Sequence, residues 1–113
     1  MTTTRQTSRY RSHELAFDRT DLGHVASCSC GWPRGRQRFL DESEAHYAGA
    51  EHLGLMAYRR LALQGLVEMA APQGPALWEA LFEHRQRLGD EARTVVDVVA
   101  HFWPERLGIR GGG

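Results

Sequence analysis

The stretch Cys28-Ser29-Cys30-Gly31-Trp32 constrains this chain more than any other. It holds the only two cysteines in 113 residues, and a single residue separates them. Two thiolates this close can share one metal ion, and the glycine lets the backbone fold around it. Structural zinc takes four protein ligands, thiolate or imidazole, in a tetrahedron. The remaining ligands are therefore expected among the histidines that follow, His46 and His52. Two cysteines on a turn with histidines on the next helix is the layout of ββα fingers. The thiol pair here is tighter than the usual spacing of two to four residues.

Helix geometry ranks these candidates. Cys28 and Cys30 come first. Positions six apart on an ideal helix point about 120° away from each other. His46 and His52 can therefore meet at one ion only if the helix ends or distorts near Gly49 or Gly54. His52 shares a stripe with Ala45, Ala48 and Leu55 and ranks third, with His46 fourth. His24 is the reserve ligand, about 13 Å from Cys28 along an extended strand. Competing readings are two ordinary buried thiols, which behave as small hydrophobes, or a redox pair, whose one-residue spacing strains the ring.

Catalytic zinc needs an open coordination position and normally a general base. Neither H-E-x-x-H nor H-x-E…P-C-x-x-C occurs, and there is no Ser-His-Asp pattern, P-loop, dinucleotide fingerprint or pair of catalytic carboxylates. The expectation is one closed, structural Zn2+ site in a protein that is not an enzyme.

The run His24-x-x-x-Cys28-x-Cys30-Gly31-Trp32, followed by an alanine-containing helix reaching His52-Leu53, resembles small zinc-finger-like proteins of actinobacteria and their phages. The resemblance is one of motif and covers residues 24–53. It implies zinc.

Around this motif the sequence predicts an α+β fold: a small antiparallel sheet with a zinc knuckle, then a mainly helical C-terminal part. Residues 1–12 are polar and basic, without aliphatic side chains, and read as a disordered arm. Strands are expected at 14–18, 24–28 and 36–39, with turn chemistry at Thr20-Asp21 and Gly23. Asp41 with Glu44 makes a capping-box-like start for a helix that Gly54 could end. A second helical run, new or continuous, covers 55–71. Pro72-Gln73-Gly74-Pro75 breaks the chain, and helices are expected at 76–88 and 91–103, their apolar stripes including Trp78, Phe82, Phe102 and Trp103 as core. The domain organisation is thus an arm (1–12), a finger-like ββ(β)α module (13–54), a helical extension packed on it (55–105) and a flexible tail (106–113).

Charge is balanced overall but not locally. Residues 1–40 carry seven arginines and three acids, whereas residues 41–113 carry seven arginines and eleven acids. A basic front and an acidic rear suggest different partners. Arg34, Arg36 and Arg38 alternate, so a strand would place them on one face. With Arg9 and Arg11 from the arm, and Trp32 as a stacking surface, they form a candidate nucleic-acid grip. A solvated edge strand is the competing explanation, and Trp32 is equally suited to packing over the knuckle. His84 and His101 are expected on helix surfaces. The leading expectation is a regulatory or adaptor module that binds another protein, and the alternative is nucleic-acid binding. No apolar run approaches the ~20 residues of a membrane helix. The N-terminus lacks a secretory h-region, so a cytoplasmic location with reduced cysteines is expected.

Overall fold

The computed structural model describes residues 7–35, 37–69 and 75–107. It is α+β, as the hydrophobic patterning predicts. Four antiparallel strands form a meander in the order β1-β2-β3-β4: β1 Thr7–Tyr10, β2 His13–Thr20, β3 Gly23–Cys28 and β4 Arg38–Phe39. Helices α1 Glu42–Leu63, α2 Pro75–Glu83 and α3 Asp90–Phe102 follow, with short 3-10 turns at Arg85–Arg87 and Pro104–Leu107. Compact packing divides the chain between His52 and Leu53. Among the described residues no helix is long and apolar enough to cross a membrane.

In the first unit, the β2–β3 hairpin sets the register. Thr20 pairs with Gly23 across a two-residue turn, which places Leu15 opposite Cys28 and Phe17 opposite Ala26. The Thr20 hydroxyl donates to the Gly23 carbonyl at 2.9 Å and accepts from the Leu22 amide at 3.2 Å. Period two then puts His13, Leu15 and Phe17 on the same face as His24, Ala26 and Cys28. The start of α1 lies on this face. Its Gly49 comes so close that a Cβ there would sit 3.0 Å from the side chains of Leu15 and Phe17. Asp41 caps the helix, its carboxylate accepting from the Ser43 amide at 2.9 Å.

Part of the expected disordered arm is structured. Thr7–Tyr10 pair with His13–Ala16, and the ring of Tyr10 is buried. Counting only aliphatic residues overlooks that aromatic anchor. Residues 1–6 lie outside the described part. Of the third expected strand, 36–39, the described part that pairs is Arg38–Phe39, after a bend through Pro33 and Gly35; Arg36 lies outside the described residues.

Gly54 does not end α1. The helix passes through it, and a Cβ there would come within 2.7 Å of the Trp78 ring, so the glycine marks close packing on a buried indole. The helix stops at Leu63, well short of residue 71. Gly65 adopts φ +76°, the Leu66 amide donates to the Leu61 carbonyl at 2.9 Å, and the Gly65 amide donates to that of Ala62 at 3.0 Å. This is a Schellman stop.

The second unit is a helical core of Leu53, Ala57, Leu61, Leu77, Trp78, Leu81 and the α3 stripe Ala92, Val95, Val96 and Val99. That stripe matches its periodicity. Phe102, expected in the core, is instead 63% exposed, and Val98 is 40% exposed. They lie one turn apart on the flank of α3 beside the buried stripe. The Pro104–Leu107 turn replaces the first two residues of the expected flexible tail, and residues 108–113 lie outside the described part.

Candidate metal centre

Strand β3 ends at Cys28, and the chain turns at once. The Gly31 amide donates to the Cys28 carbonyl at 2.9 Å, and the Cys28 amide donates to the Trp32 carbonyl at 2.8 Å. Gly31 has φ +99°, a conformation that side chains oppose. This tight turn swings Cys30 back beside Cys28. Ser29, between them, locks the turn to β2. Its hydroxyl donates to the Ser12 carbonyl at 2.8 Å and accepts from the Glu14 amide at 3.0 Å, while its own amide donates to the Glu14 carbonyl at 3.0 Å. The residue so flanked is His13.

His13, Cys28, Cys30 and His52 converge, each offering one ligand atom, and these atoms all lie within 4.8 Å of one another. Cys28 Sγ is 3.6 Å from His13 Nδ1, and Cys30 Sγ is 3.3 Å from His52 Nε2. The group is close enough to hold a metal ion. His52 reaches it from α1 and is only 6% exposed. Trp32 lies flat on its ring, centroids 4.7 Å apart and planes 11° from parallel, and His13 meets it edge-on at 5.5 Å.

Burial pushes the Cys28 thiol above its ordinary value. A backbone hydrogen bond from Cys30 pulls it partly back, and the neighbouring Cys30 sulfur pushes it up again. Two adjoining thiolates in a partly buried pocket are electrostatically unfavourable alone, and a dication between them reverses that balance.

Three of the four ligand candidates ranked from sequence, Cys28, Cys30 and His52, belong to this group. His46 does not. Because α1 stays helical through Gly49, the six-residue offset turns His46 away, and its ring stacks on Phe17 with centroids 4.0 Å apart. Its Nε2 lies 3.7 Å from the Glu42 carboxylate. Burial lowers the His46 pKa, Glu42 opposes that, and His24 adds to it. The reserve ligand His24 sits on β3 between Arg19 and Phe39, on the same face as Cys28 but at the far end of the strand, as its four-residue separation requires. His13 takes the fourth place instead, and sequence reasoning missed it. His84 and His101 are outside the group, half-buried and exposed respectively.

Among the described residues, the candidate nucleic-acid residues are not gathered on one strand face. Arg34 is exposed in the bend after the knuckle, Arg38 is exposed on β4, and Arg11 occupies the β1–β2 turn at φ +54°. Arg9 lies opposite Glu14 in β1, and Arg36 lies outside the described residues. Trp32 is half-buried against His52.

No protein-family model matches the chain, and neither a curated protein nor a solved structure does.

Proposed function

We propose that this chain is a zinc-stapled, non-catalytic adaptor that works by binding another protein. The observation that carries the zinc assignment is the convergence of His13, Cys28, Cys30 and His52. Zn–S bonds of about 2.3 Å and Zn–N bonds of about 2.0–2.1 Å separate S and N ligands by about 3.5 Å across a tetrahedron. The 3.6 Å and 3.3 Å sulfur–nitrogen separations fit that edge. Two thiolates with two imidazoles are a zinc donor set rather than one for calcium or magnesium. Four protein ligands fill the tetrahedron and leave no position for a substrate or an activated water, so the ion is structural. The resemblance of residues 24–53 to zinc-finger-like proteins points the same way.

The partner surface is assigned to the helical rear. Val98 and Phe102 form an exposed apolar pair on α3, within the acid-rich part of the chain. The nucleic-acid alternative is weaker, because Trp32 is engaged with His52 and the arginines are spread over a bend, a turn and a short strand. The test is affinity capture by the zinc-loaded full chain, beside binding to duplex and single-stranded DNA at low salt. Capture of a protein by the wild type and its loss with Val98→Asp/Phe102→Asp supports the adaptor reading. DNA binding that weakens steeply with salt, undisturbed by those substitutions, overturns it in favour of the alternative.

A further inference from the structure

The four ligands are unequally protected. Cys28 and His52 are buried and His13 is half-buried, whereas Cys30 is exposed. Next to Cys30, Gly31 faces open space: apart from its chain neighbours, nothing lies within 4 Å of where its Cβ would be. A groove of about 240 Å³ beside the knuckle is lined by Ser27, Cys28, Gly31 and Trp32 among others. Of the four, Cys30 is thus the residue most open to a small solute, and a thiolate is the nucleophile among the ligand types present. The second thiolate waits within 4.8 Å.

We propose that Cys30 is an oxidative modification site through which a hydroperoxide opens the zinc staple, a regulation that rests on the zinc reading above. The Cys30 thiolate attacks one peroxide oxygen. An S–O bond forms, the O–O bond breaks, and the departing hydroxide takes a proton to become water. Cys30 is now a sulfenic acid, oxidised by two electrons, and a poor zinc ligand. The Cys28 thiolate then attacks the Cys30 sulfur. An S–S bond forms, the S–O bond breaks, and a second hydroxide leaves as water. Two thiolates, one hydrogen peroxide and two protons thus give one disulfide, two waters and a released Zn2+, which two histidines alone do not retain. The one-residue spacing strains the ring, so a thiol reductant returns both thiolates by exchange and lets zinc rebind.

Losing the ion unties β2, the knuckle and the start of α1 at once. The sulfur chemistry is thereby coupled to the fold of the first unit.

The test uses the zinc-loaded full chain and hydrogen peroxide, with zinc release followed by a chromogenic chelator and oxidation mapped by peptide mass spectrometry. Zinc content is measured first. A chain that binds no zinc at the outset overturns the zinc reading and this proposal with it. A loaded chain that keeps its zinc under peroxide overturns the proposal alone. The expected result is release in step with oxidation of the Cys28–Cys30 peptide, reversed by a thiol. Exposed Met69 is mapped separately, and release that tracks Met69 oxidation instead is contrary to the proposal. Cys30→His keeps a zinc ligand while removing the exposed thiolate, and release from it is expected to be about tenfold slower or more. Cys28→His retains Cys30 and is expected to stay peroxide-sensitive, stopping at the sulfenic acid. Equal sensitivity of Cys30→His and wild type contradicts the assignment.

Discussion

The indole of Trp32 lies flat against the imidazole of His52, with centroids 4.7 Å apart and planes 11° from parallel. Trp32 follows the knuckle and His52 sits on α1, so the stack joins the two elements that carry Cys30 and His52 of the candidate metal centre. It also holds the imidazole with its Nε2 turned toward Cys30, 3.3 Å from the sulfur. Residues that orient a ligand are worth about 10–100-fold in metal affinity. Trp32→Ala is therefore expected to weaken zinc binding by about tenfold or more. Trp32→Phe, which keeps a flat ring, should lose much less. Competition titration against a chelator of known affinity measures both, and equal affinities for Trp32→Ala and wild type refute the orienting role.

His13 and His46 offer a direct contrast. His13 Nδ1 lies 3.6 Å from Cys28 Sγ, whereas the His46 ring stacks on Phe17. His13→Ala should remove a ligand and leave at most weak zinc binding. His46→Phe should keep full stoichiometry and near-native affinity. Metal analysis after dialysis reads the difference, and loss of zinc from His46→Phe with retention in His13→Ala would reverse the assignment.

The contrast shows how far the site was legible in the sequence. The Cys-x-Cys-Gly-Trp run identified the knuckle, and the helical stripe singled out His52. The six-residue offset of His46 was already a warning, and the uninterrupted helix bears it out physically: the two rings point to different places. What hid His13 was the hairpin register. As a two-residue hairpin, the turn at Thr20-Asp21-Leu22-Gly23 pairs Thr20 with Gly23 and carries the register through to Leu15↔Cys28. One more same-face step places His13 beside Cys30. Whether Gly54 ends the helix was open in the sequence for a related reason. Local propensity marks a glycine as a helix stop, but only the folded chain reveals Trp78 pressed against it. The exposure of Phe102 was hidden too, because periodicity alone does not say how wide a buried stripe is.

The Trp78 contact predicts a glycine that resists the usual helix-stabilising substitution. Alanine is about 1 kcal/mol better than glycine within a helix. At Gly54, however, the new Cβ would lie 2.7 Å from one ring atom of Trp78 and 3.0 Å from another, and that indole is fully buried. Overpacking of this kind costs about 1–3 kcal/mol. Gly54→Ala is thus expected to lower stability by about 1 kcal/mol net in denaturant unfolding. A stabilised variant would mean that Trp78 moves aside freely.

His46 sets a pH dependence with a definite sign. Burial, together with nearby His24, lowers its folded-state pKa below the ordinary 6.5, against the opposing pull of Glu42. Between the folded value and about 6.5 the unfolded chain binds the proton more readily, so stability rises with pH across that window. The contribution is complete above about 6.5 and is lost as pH falls toward the folded value. His46→Phe, still able to stack on Phe17, should show a shallower acid loss than the wild type when both are zinc-loaded. The zinc ligands contribute to both proteins and drop out of the difference. Identical pH profiles would show that His46 is protonated equally well in the folded and unfolded chain.

The most direct measurement is the zinc content of the full chain purified without chelator, read together with the order of the first unit. The expected result is about one zinc per chain bound by His13, Cys28, Cys30 and His52. Chelation, or Cys28→Ser with Cys30→Ser, should remove the ion and melt the β2–β3 sheet, seen as lost amide protection from His13 to Cys28. A chain that is metal-free as purified, binds no added zinc and keeps that sheet fully protected would contradict the zinc-stapled fold.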